Sequence, residues 1–184
     1  MTKPVLAHCL AALLLAACAA PPPSTERPAE RPPETPSLGF FSRLKVPDGH
    51  EPALQLAARG VQIFRCERTG DAFEWRFRQP EADLFDAQGQ SVGRHGANFS
   101  FEHRDGSRLL GTVVAHEKSA SADTLPWLLL SAKSFGKGAF GDVSYVQRVN
   151  TKGGMPPPGC STGQAGRLLR VDFSADFVFY RPRG

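Results

Sequence analysis

Several features that mark large protein classes are missing from this sequence. The longest apolar run, Val5 to Ala17, has thirteen residues and is interrupted by His8. A helix needs about 20 apolar residues to cross a bilayer. Lysine and arginine outnumber the acidic residues by only 22 to 18 and are scattered, without the dense basic stripe of a nucleic-acid-binding protein. We therefore expect neither a membrane-spanning helix nor a nucleic-acid partner.

The first residues have the features of a secretory targeting segment. Lys3 supplies a short positive region and the apolar run follows it. The run ends in Leu15-Ala16-Ala17-Cys18, which resembles the lipobox of bacterial lipoproteins. The resemblance implies a signal peptide over 1–17, cleavage before Cys18, and acylation of its thiol and of the new amino group. Two or three acyl chains are enough for stable membrane anchoring.

Two further points bear on the anchor. Ordinary signal-peptidase cleavage beside an incidental cysteine is the alternative interpretation of this segment. Ala19, rather than aspartate, follows Cys18. By resemblance to the sorting pattern of such lipoproteins, this favours the outer membrane, facing the periplasm or the cell surface.

A proline-rich tether follows, so that residues 18–37 hold the acylated cysteine and a spacer. Ala19 to Ser37 contains seven prolines among nineteen residues, with charged side chains between them. Such a segment cannot bury enough apolar surface to fold, and its prolines favour an extended polyproline II conformation about 60 Å long. Residues 38–184 then have the size of one domain. Removal of Lys3 with the signal peptide leaves 21 basic against 18 acidic residues.

The cysteine count predicts one disulfide. Cys9 leaves with the signal peptide and Cys18 is acylated, so Cys66 and Cys160 remain. In an oxidising compartment, paired thiols become disulfides. Two free buried thiols or a metal pair are the alternatives, and no other cysteine stands near either residue in the sequence.

Alternating apolar and polar residues predict an all-β domain. Phe73 to Phe77 and Val171 to Phe179 alternate with period two, as half-buried strands do. Glu51 to Arg59 is the one helix candidate, but it alternates equally well and we interpret it as a strand. Leu125 to Leu130 is apolar on both faces, which is typical of a central strand. We expect one antiparallel β-sandwich or barrel with long loops and one disulfide. Further predicted strands are 61–67, 99–103, 109–116 and 143–150.

Eight stretches follow one another along the domain: Gly60–Cys66, Pro80–Asp86, Gly93-x-His95, Asp105–Ser107, Pro126–Leu130, Tyr145–Gly154, Gly159–Cys160 and Ser174–Tyr180. In their order and spacing they resemble a family catalogued only as domain-of-unknown-function family 3455, which occurs in exported bacterial and fungal proteins. The resemblance covers nearly all of residues 46 to 180 and implies a mostly β fold, with no catalytic residues to carry over. One departure is Asn98 to Phe101, where the family tends to have a Gly-Pro-x-Trp run.

Gly136 to Gly141 is a literal G-x-G-x-x-G, the pattern of dinucleotide-binding loops. That motif binds a pyrophosphate only where it follows a strand and opens a helix. A predicted strand follows here instead, so we interpret the glycines as a turn and expect no nucleotide and no cofactor.

Histidines raise the question of a metal site. By strand parity His95 and His103 would share one face, and His116 lies on the next predicted strand; two or three of these imidazoles with Glu102 or Asp105 could ligate zinc or copper. A mixture of surface histidines and one hydrogen-bonded structural histidine is the simpler interpretation, and we predict no metal.

Polar residues in an apolar strand mark the candidate ligand site. Arg148 and Asn150, with Lys152 after them, lead into Gly153-Gly154 and could bind an anionic or sugar-like ligand. His95 and Asp105 are candidates for the opposite wall. The alternative is that Arg148 pairs with a carboxylate and Asn150 caps a turn.

These observations favour a lipid-anchored, non-catalytic binding or interaction module of the cell envelope. Its partner would be an envelope ligand or protein whose identity the sequence does not give. An extracytoplasmic hydrolase-like enzyme acting on an envelope polymer or small molecule is the alternative, although we identify no catalytic residues.

Overall fold

The computed structural model describes residues 37–39, 42–119 and 121–184. Cys18, the signal peptide and the tether before Ser37 lie outside the described residues, so those expectations stay predictions. The described part is all β, with no α-helix and two short 3₁₀ turns, Ala97–Phe99 and Thr162–Gln164. None of its helices is long and apolar enough to cross a membrane. The eight strands are β1 His50–Thr69, β2 Ala72–Phe85, β3 Ser91–Gly96, β4 Ser100–His103, β5 Arg108–Glu117, β6 Trp127–Phe135, β7 Tyr145–Gly153 and β8 Leu168–Pro182.

The strands form one closed antiparallel barrel in which each pairs with the next along the chain. Closure comes from β1 and β8, which run from His50 opposite Pro182 to Arg65 opposite Leu168. This confirms the all-β expectation and decides between sandwich and barrel. Glu51 to Arg59 lies within β1, as expected from its alternation. The apolar run from Leu125 to Leu130 predicted a strand that begins at Leu125, but β6 begins two residues later, at Trp127.

The barrel interior is filled by side chains that alternate along the strands with exposed ones. Phe101, Phe177 and Phe179 are fully buried, and the ring of Phe101 meets the other two edge to face, 5.0 and 5.5 Å between centroids. Such pairs stabilise the fold beyond the area that they bury. Arg148 on β7 lies opposite Leu128 and Phe177, so it belongs to the same inner face as the core.

The predicted disulfide is confirmed. Cys66 on β1 is bonded to Cys160, which lies in the long connection between β7 and β8. The backbone also ties this connection to β1, because the N–H of Gly166 donates to the carbonyl oxygen of Cys66 over 2.9 Å. The connection is thereby fixed across one end of the barrel.

Candidate functional site

A cavity of about 740 Å³ opens at one end of the barrel. In an up-and-down barrel, the later halves of odd strands and the earlier halves of even strands meet at the same end. The lining residues lie in the middle of the strands or toward this end, and in the connections that follow β3, β5 and β7. Its volume is within the range of small-molecule sites, which are common in the mouths of barrels. The lining residues are Gln62, Phe64, Phe77, Arg78, Pro80, His95, Asn98, Phe99, Gly111, Thr112, Val113, Leu125, Pro126, Arg148 and Met155.

Arg148 places a positive charge in this cavity. The residue is only 6% exposed, and burial lowers the pKa of its guanidinium to about 10, which still leaves it charged at neutral pH. It makes no ion pair within the described part of the chain. Its Nε and Nη2 both donate to the carbonyl oxygen of Pro126, at 3.3 and 2.9 Å. A guanidinium has five N–H donors, so these bonds leave most of its capacity unused.

Gln62 adds a second donor to the same cavity. It is 2% exposed, and its Nε2 has no hydrogen-bond partner among the described residues. A buried amide without a partner costs about 1–3 kcal/mol, so such groups are rare unless they serve a ligand or an ordered water. Sequence reasoning missed Gln62. The criterion that selected Arg148, a polar residue between apolar neighbours in a strand, would have found it, since Val61 and Ile63 flank it.

His95 lies beside these donors as a neutral imidazole. Its Nδ1 is 3.0 Å from the carbonyl oxygen of Ser100, which only accepts, so Nδ1 carries the proton and Nε2 is the unprotonated acceptor. The pKa of His95 is lowered to about 4, mainly by burial; the hydrogen bond to Ser100 opposes this shift, and the nearby charge of Arg148 adds to it. The ring stacks on Phe101 with 4.3 Å between centroids. The buried lining residues Gln62, His95 and Arg148 form the base of the cavity, and Arg148 carries the only charge among these three.

The segment Ala97–Phe99 forms part of the cavity wall with an unusual backbone. Asn98 and Phe99 have φ values of 55° and 49°, the left-handed region that side chains other than glycine rarely adopt. Gly111 makes room for Phe99, because a Cβ at that position would lie 3.2 Å from the Cβ of Phe99 and 2.9 Å from Leu130. Asn98 and Phe99 belong to the stretch, Asn98 to Phe101, in which the chain departs from the family that it resembles. The departure thus falls on the cavity wall.

The ladder between β1 and β2 is irregular beside the cavity. Pro80, which has no N–H to donate, lies opposite Gln62, and the register shifts between Ile63 and Phe64. Bulges of this kind are common beside functional sites because they redirect side chains. Here the irregularity coincides with two lining residues, Gln62 and Phe64.

Of the five ligand-site candidates from the sequence, His95 and Arg148 line the cavity together. Asn150 is exposed and donates from Nδ2 to Asp176 over 2.8 Å. Lys152 is exposed and lines a shallow outer groove with Asp172. Asp105 lies in the turn between β4 and β5, at the opposite end of the barrel.

Asp105 organises that opposite end. Its carboxylate accepts from the Ser107 hydroxyl at 2.6 Å and from the N–H groups of Ser107 and Ala139, each at 2.8 Å. Desolvation raises the pKa of Asp105, but these hydrogen bonds outweigh it and hold the pKa below its ordinary value. Ser107 is fully buried and its hydroxyl proton is committed to the carboxylate, while its oxygen accepts from Phe140. The turn therefore holds the β4–β5 and β6–β7 connections together through these hydrogen bonds, and Ser107 is not placed as a nucleophile.

Two sequence motifs turn out to be connections between strands. Gly136 to Gly141 forms bends and turns ahead of β7, in agreement with the turn interpretation. A Cβ at Gly138 would lie 2.4 Å from Asp105 Oδ2, so the absence of a side chain at Gly138 lets the backbone approach the carboxylate of Asp105 closely. Gly89 to Gly93 matches G-x-S-x-G, which the sequence reasoning overlooked. Ser91 begins β3 after a turn, whereas a nucleophile elbow requires a following helix.

Within residues 37–39, 42–119 and 121–184, no group of three or more histidine, cysteine or acidic residues could hold a metal ion. No curated protein and no solved structure matches the chain. One family model matches residues 47–181, which include the whole cavity lining. That family is described as "Protein of unknown function (DUF3455)", and the chain belongs to it.

Proposed function

We propose that this chain is a lipid-anchored lipoprotein of the bacterial cell envelope whose domain is a non-catalytic module that binds a small molecule in the cavity. The anchoring part rests on Cys18 at the end of its apolar segment, and the proline-rich stretch after it would hold the domain away from the membrane. The binding part rests on the chemistry of the cavity. The two parts are tested separately.

The observation that carries the binding proposal is the buried guanidinium of Arg148, which lines a cavity without a carboxylate. Removing one partner from a buried ion pair commonly costs 3–5 kcal/mol, because the remaining charge is uncompensated. We therefore expect the charge of Arg148 at the base of the cavity to bind a ligand. A ligand that supplies the missing negative charge would remove this cost.

The lining residues favour binding over catalysis. Among the described residues that line the cavity there is no serine, cysteine, aspartate or glutamate, and His95 is the one histidine. A nucleophile with an adjacent base is the usual signature of covalent catalysis. The cavity instead combines a few polar groups with an apolar wall, as ligand sites do.

The test uses Ala19 to Gly184, which omits only the signal peptide and the acylated cysteine, exported to an oxidising compartment and purified without detergent. The probe is 1-anilinonaphthalene-8-sulfonate, an apolar monoanion whose fluorescence rises in apolar sites. We expect saturable binding of one dye per chain. Val113→Trp should weaken dye binding at least tenfold, because Val113 lines the cavity. Val114→Trp should not weaken it, because Val114 is exposed and does not line the cavity.

Either of two results would overturn the binding proposal. The first is the absence of saturable dye binding by the wild-type chain. The second is equal binding by both tryptophan variants, which would place the dye elsewhere on the surface. Melting temperatures of both variants, measured on the same preparations, show whether a loss of binding follows a loss of folding.

A further inference from the structure

We infer that the ligand is an organic carboxylic acid with an apolar body, bound with its carboxylate inward against Arg148 and Gln62 and with its apolar end toward the cavity mouth. This inference rests on the proposed function and specifies the ligand of the same site. It follows from the charge, the burial and the wall of the cavity.

The charge of the cavity base selects a monoanion. Arg148 contributes one positive charge, His95 is neutral and accepts through Nε2, and no acidic residue lines the cavity in the described part of the chain. The other lining arginine, Arg78, is exposed at the rim, and its charge is paired with Glu67. A carboxylate would neutralise this charge. A phosphate dianion would leave a surplus negative charge in a buried place, which is costly.

The hydrogen-bond donors fit the same group. A guanidinium presents N–H groups in a planar fork that matches the two oxygens of a carboxylate. Arg148 retains donors after its bonds to Pro126, and the Nε2 of Gln62 is without a described partner. A carboxylate has about four lone-pair sites and can accept from both residues. The ligand would thus satisfy the one buried polar side-chain atom that the described residues leave unsatisfied.

Burial sets the direction in which the ligand enters. The polar residues Gln62, His95 and Arg148 are between 2 and 6% exposed, which places them at the base. Apolar residues are prominent at the rim, where Phe77 is 51%, Val113 42% and Met155 38% exposed, beside the exposed polar residues Arg78, Asn98 and Thr112. The lining charge that has no carboxylate partner therefore lies at the deepest part of the site, while large apolar side chains are available at the rim. An amphiphile fits this arrangement with its charged group inward.

The wall between base and rim is apolar and sized for a small amphiphile. Phe64, Phe99 and Leu125 line it, within a cavity of about 740 Å³. Burying apolar surface contributes about 0.8 kcal/mol per CH₂ group, so affinity should rise with the length of the ligand until its end reaches the rim. The body is consequently expected to be a hydrocarbon chain or a comparable apolar group.

The test compares decanoate with decanol by isothermal titration on the exported Ala19–Gly184 chain. Both probes have ten carbon atoms in an unbranched chain, and only the acid carries a charge. We expect decanoate to bind at least tenfold more tightly. Arg148→Met should abolish this preference while decanol binding persists, and Gln62→Leu should weaken decanoate several-fold. Arg170→Met, which removes an exposed arginine paired with Glu81, is the matched control and should change neither affinity.

A second series tests the orientation. With the carboxylate inward, Phe77→Ser and Met155→Ser should weaken dodecanoate at least threefold and leave hexanoate unchanged, because only the longer acid reaches the rim. Leu168→Ser, an exposed apolar residue outside the cavity lining, is the control. Equal losses for both acids would overturn the inward orientation.

The outcomes separate this inference from the function on which it rests. Equal affinities for decanoate and decanol, or a preference that survives in Arg148→Met, would overturn the carboxylate inference but retain a binding module. Absence of saturable binding of the naphthalene dye would overturn the proposed function, whereas failure of decanoate alone to bind would overturn only the carboxylate inference. If Arg148→Met does not fold, Arg148→Lys keeps the charge without the fork and should lose at least threefold in decanoate affinity. An unchanged affinity in Arg148→Lys and Gln62→Leu would contradict the assignment.

Discussion

The guanidinium of Arg148 is held by a neutral partner, the carbonyl oxygen of Pro126. Nε and Nη2 of Arg148 lie 3.3 and 2.9 Å from this oxygen. Pro126 stands just before β6, so the bonds join the inner face of β7 to the connection between β5 and β6 at the cavity. The contact orients the cation but does not neutralise it.

Arg148→Met should therefore change the free energy of unfolding little, within about 1 kcal/mol, or raise it. Burial lowers the pKa of Arg148 from 12.5 to about 10, which corresponds to a penalty of roughly 3 kcal/mol for the charged form. Loss of the bonds to Pro126 costs a similar amount, about 1.5–3 kcal/mol. Urea unfolding measures the difference. A loss of more than about 3 kcal/mol would indicate a structural role, and Phe177→Ala provides the scale, at about 3–5 kcal/mol for a core truncation.

His95 should make the barrel less stable as the pH falls from about 6.5 to about 4. Its folded-state pKa is near 4, below the unfolded value of 6.5, so the unfolded chain binds the proton first. The full contribution is present above pH 6.5, and roughly 3 kcal/mol is lost on reaching pH 4. Urea unfolding of the wild-type chain and of His95→Asn across this range measures the effect. The variant should show a flatter dependence, and the exposed His116→Gln should follow the wild type.

Loss of the Cys66–Cys160 disulfide should lower the melting temperature. The bond closes a loop with a sequence separation of 94 residues. In the chain-entropy model, a loop of this size contributes at most about 4–5 kcal/mol. Cys160→Ser and the Cys66→Ser/Cys160→Ser double variant should be destabilised alike, and reduction should affect only the wild type. Peptide mapping without reductant checks the bond directly. Two freely alkylated thiols in the exported chain would contradict it.

Gly138→Ala should be more harmful than Gly89→Ala. Both glycines have positive φ, at 128° and 75°, but only at Gly138 would a Cβ collide with the carboxylate of Asp105. We expect a loss of about 1 kcal/mol at Gly89 and roughly 2 kcal/mol more at Gly138. Thermal unfolding of the two variants provides the comparison. Equal losses would show that the approach to Asp105 does not matter to the fold.

Cys18→Ser should abolish acylation. If Cys18 ends a lipobox, the wild-type chain takes up labelled fatty acid and partitions into membranes, and the variant remains unlabelled and unprocessed. Metabolic labelling followed by fractionation distinguishes the two. Unchanged labelling of the variant would contradict the anchor, and Cys9→Ser is the matched control because Cys9 lies within the predicted signal peptide.

Local sequence patterns determined much of the fold. Strand alternation is a property of neighbouring residues, so Val171 to Phe179 and Phe73 to Phe77 predicted β8 and part of β2 correctly. The cysteine count predicted the disulfide because only two thiols remained once Cys9 and Cys18 were assigned. The glycines from 136 to 141 were recognised as a turn because a strand, not a helix, was expected after them.

Only the tertiary structure decided closure and the grouping of the site. Alternation says which residues share a face but not whether the first and last strands pair, and here β1 pairs with β8 to form the barrel. Nearness in sequence placed Asn150 and Lys152 with Arg148, yet both are exposed. Gln62 and Arg148 are 86 positions apart and line one cavity, because barrel closure brings the inner faces of distant strands together at one end. Composition and spacing identify polar residues in strands, but the cavity that they share exists only in the closed sheet.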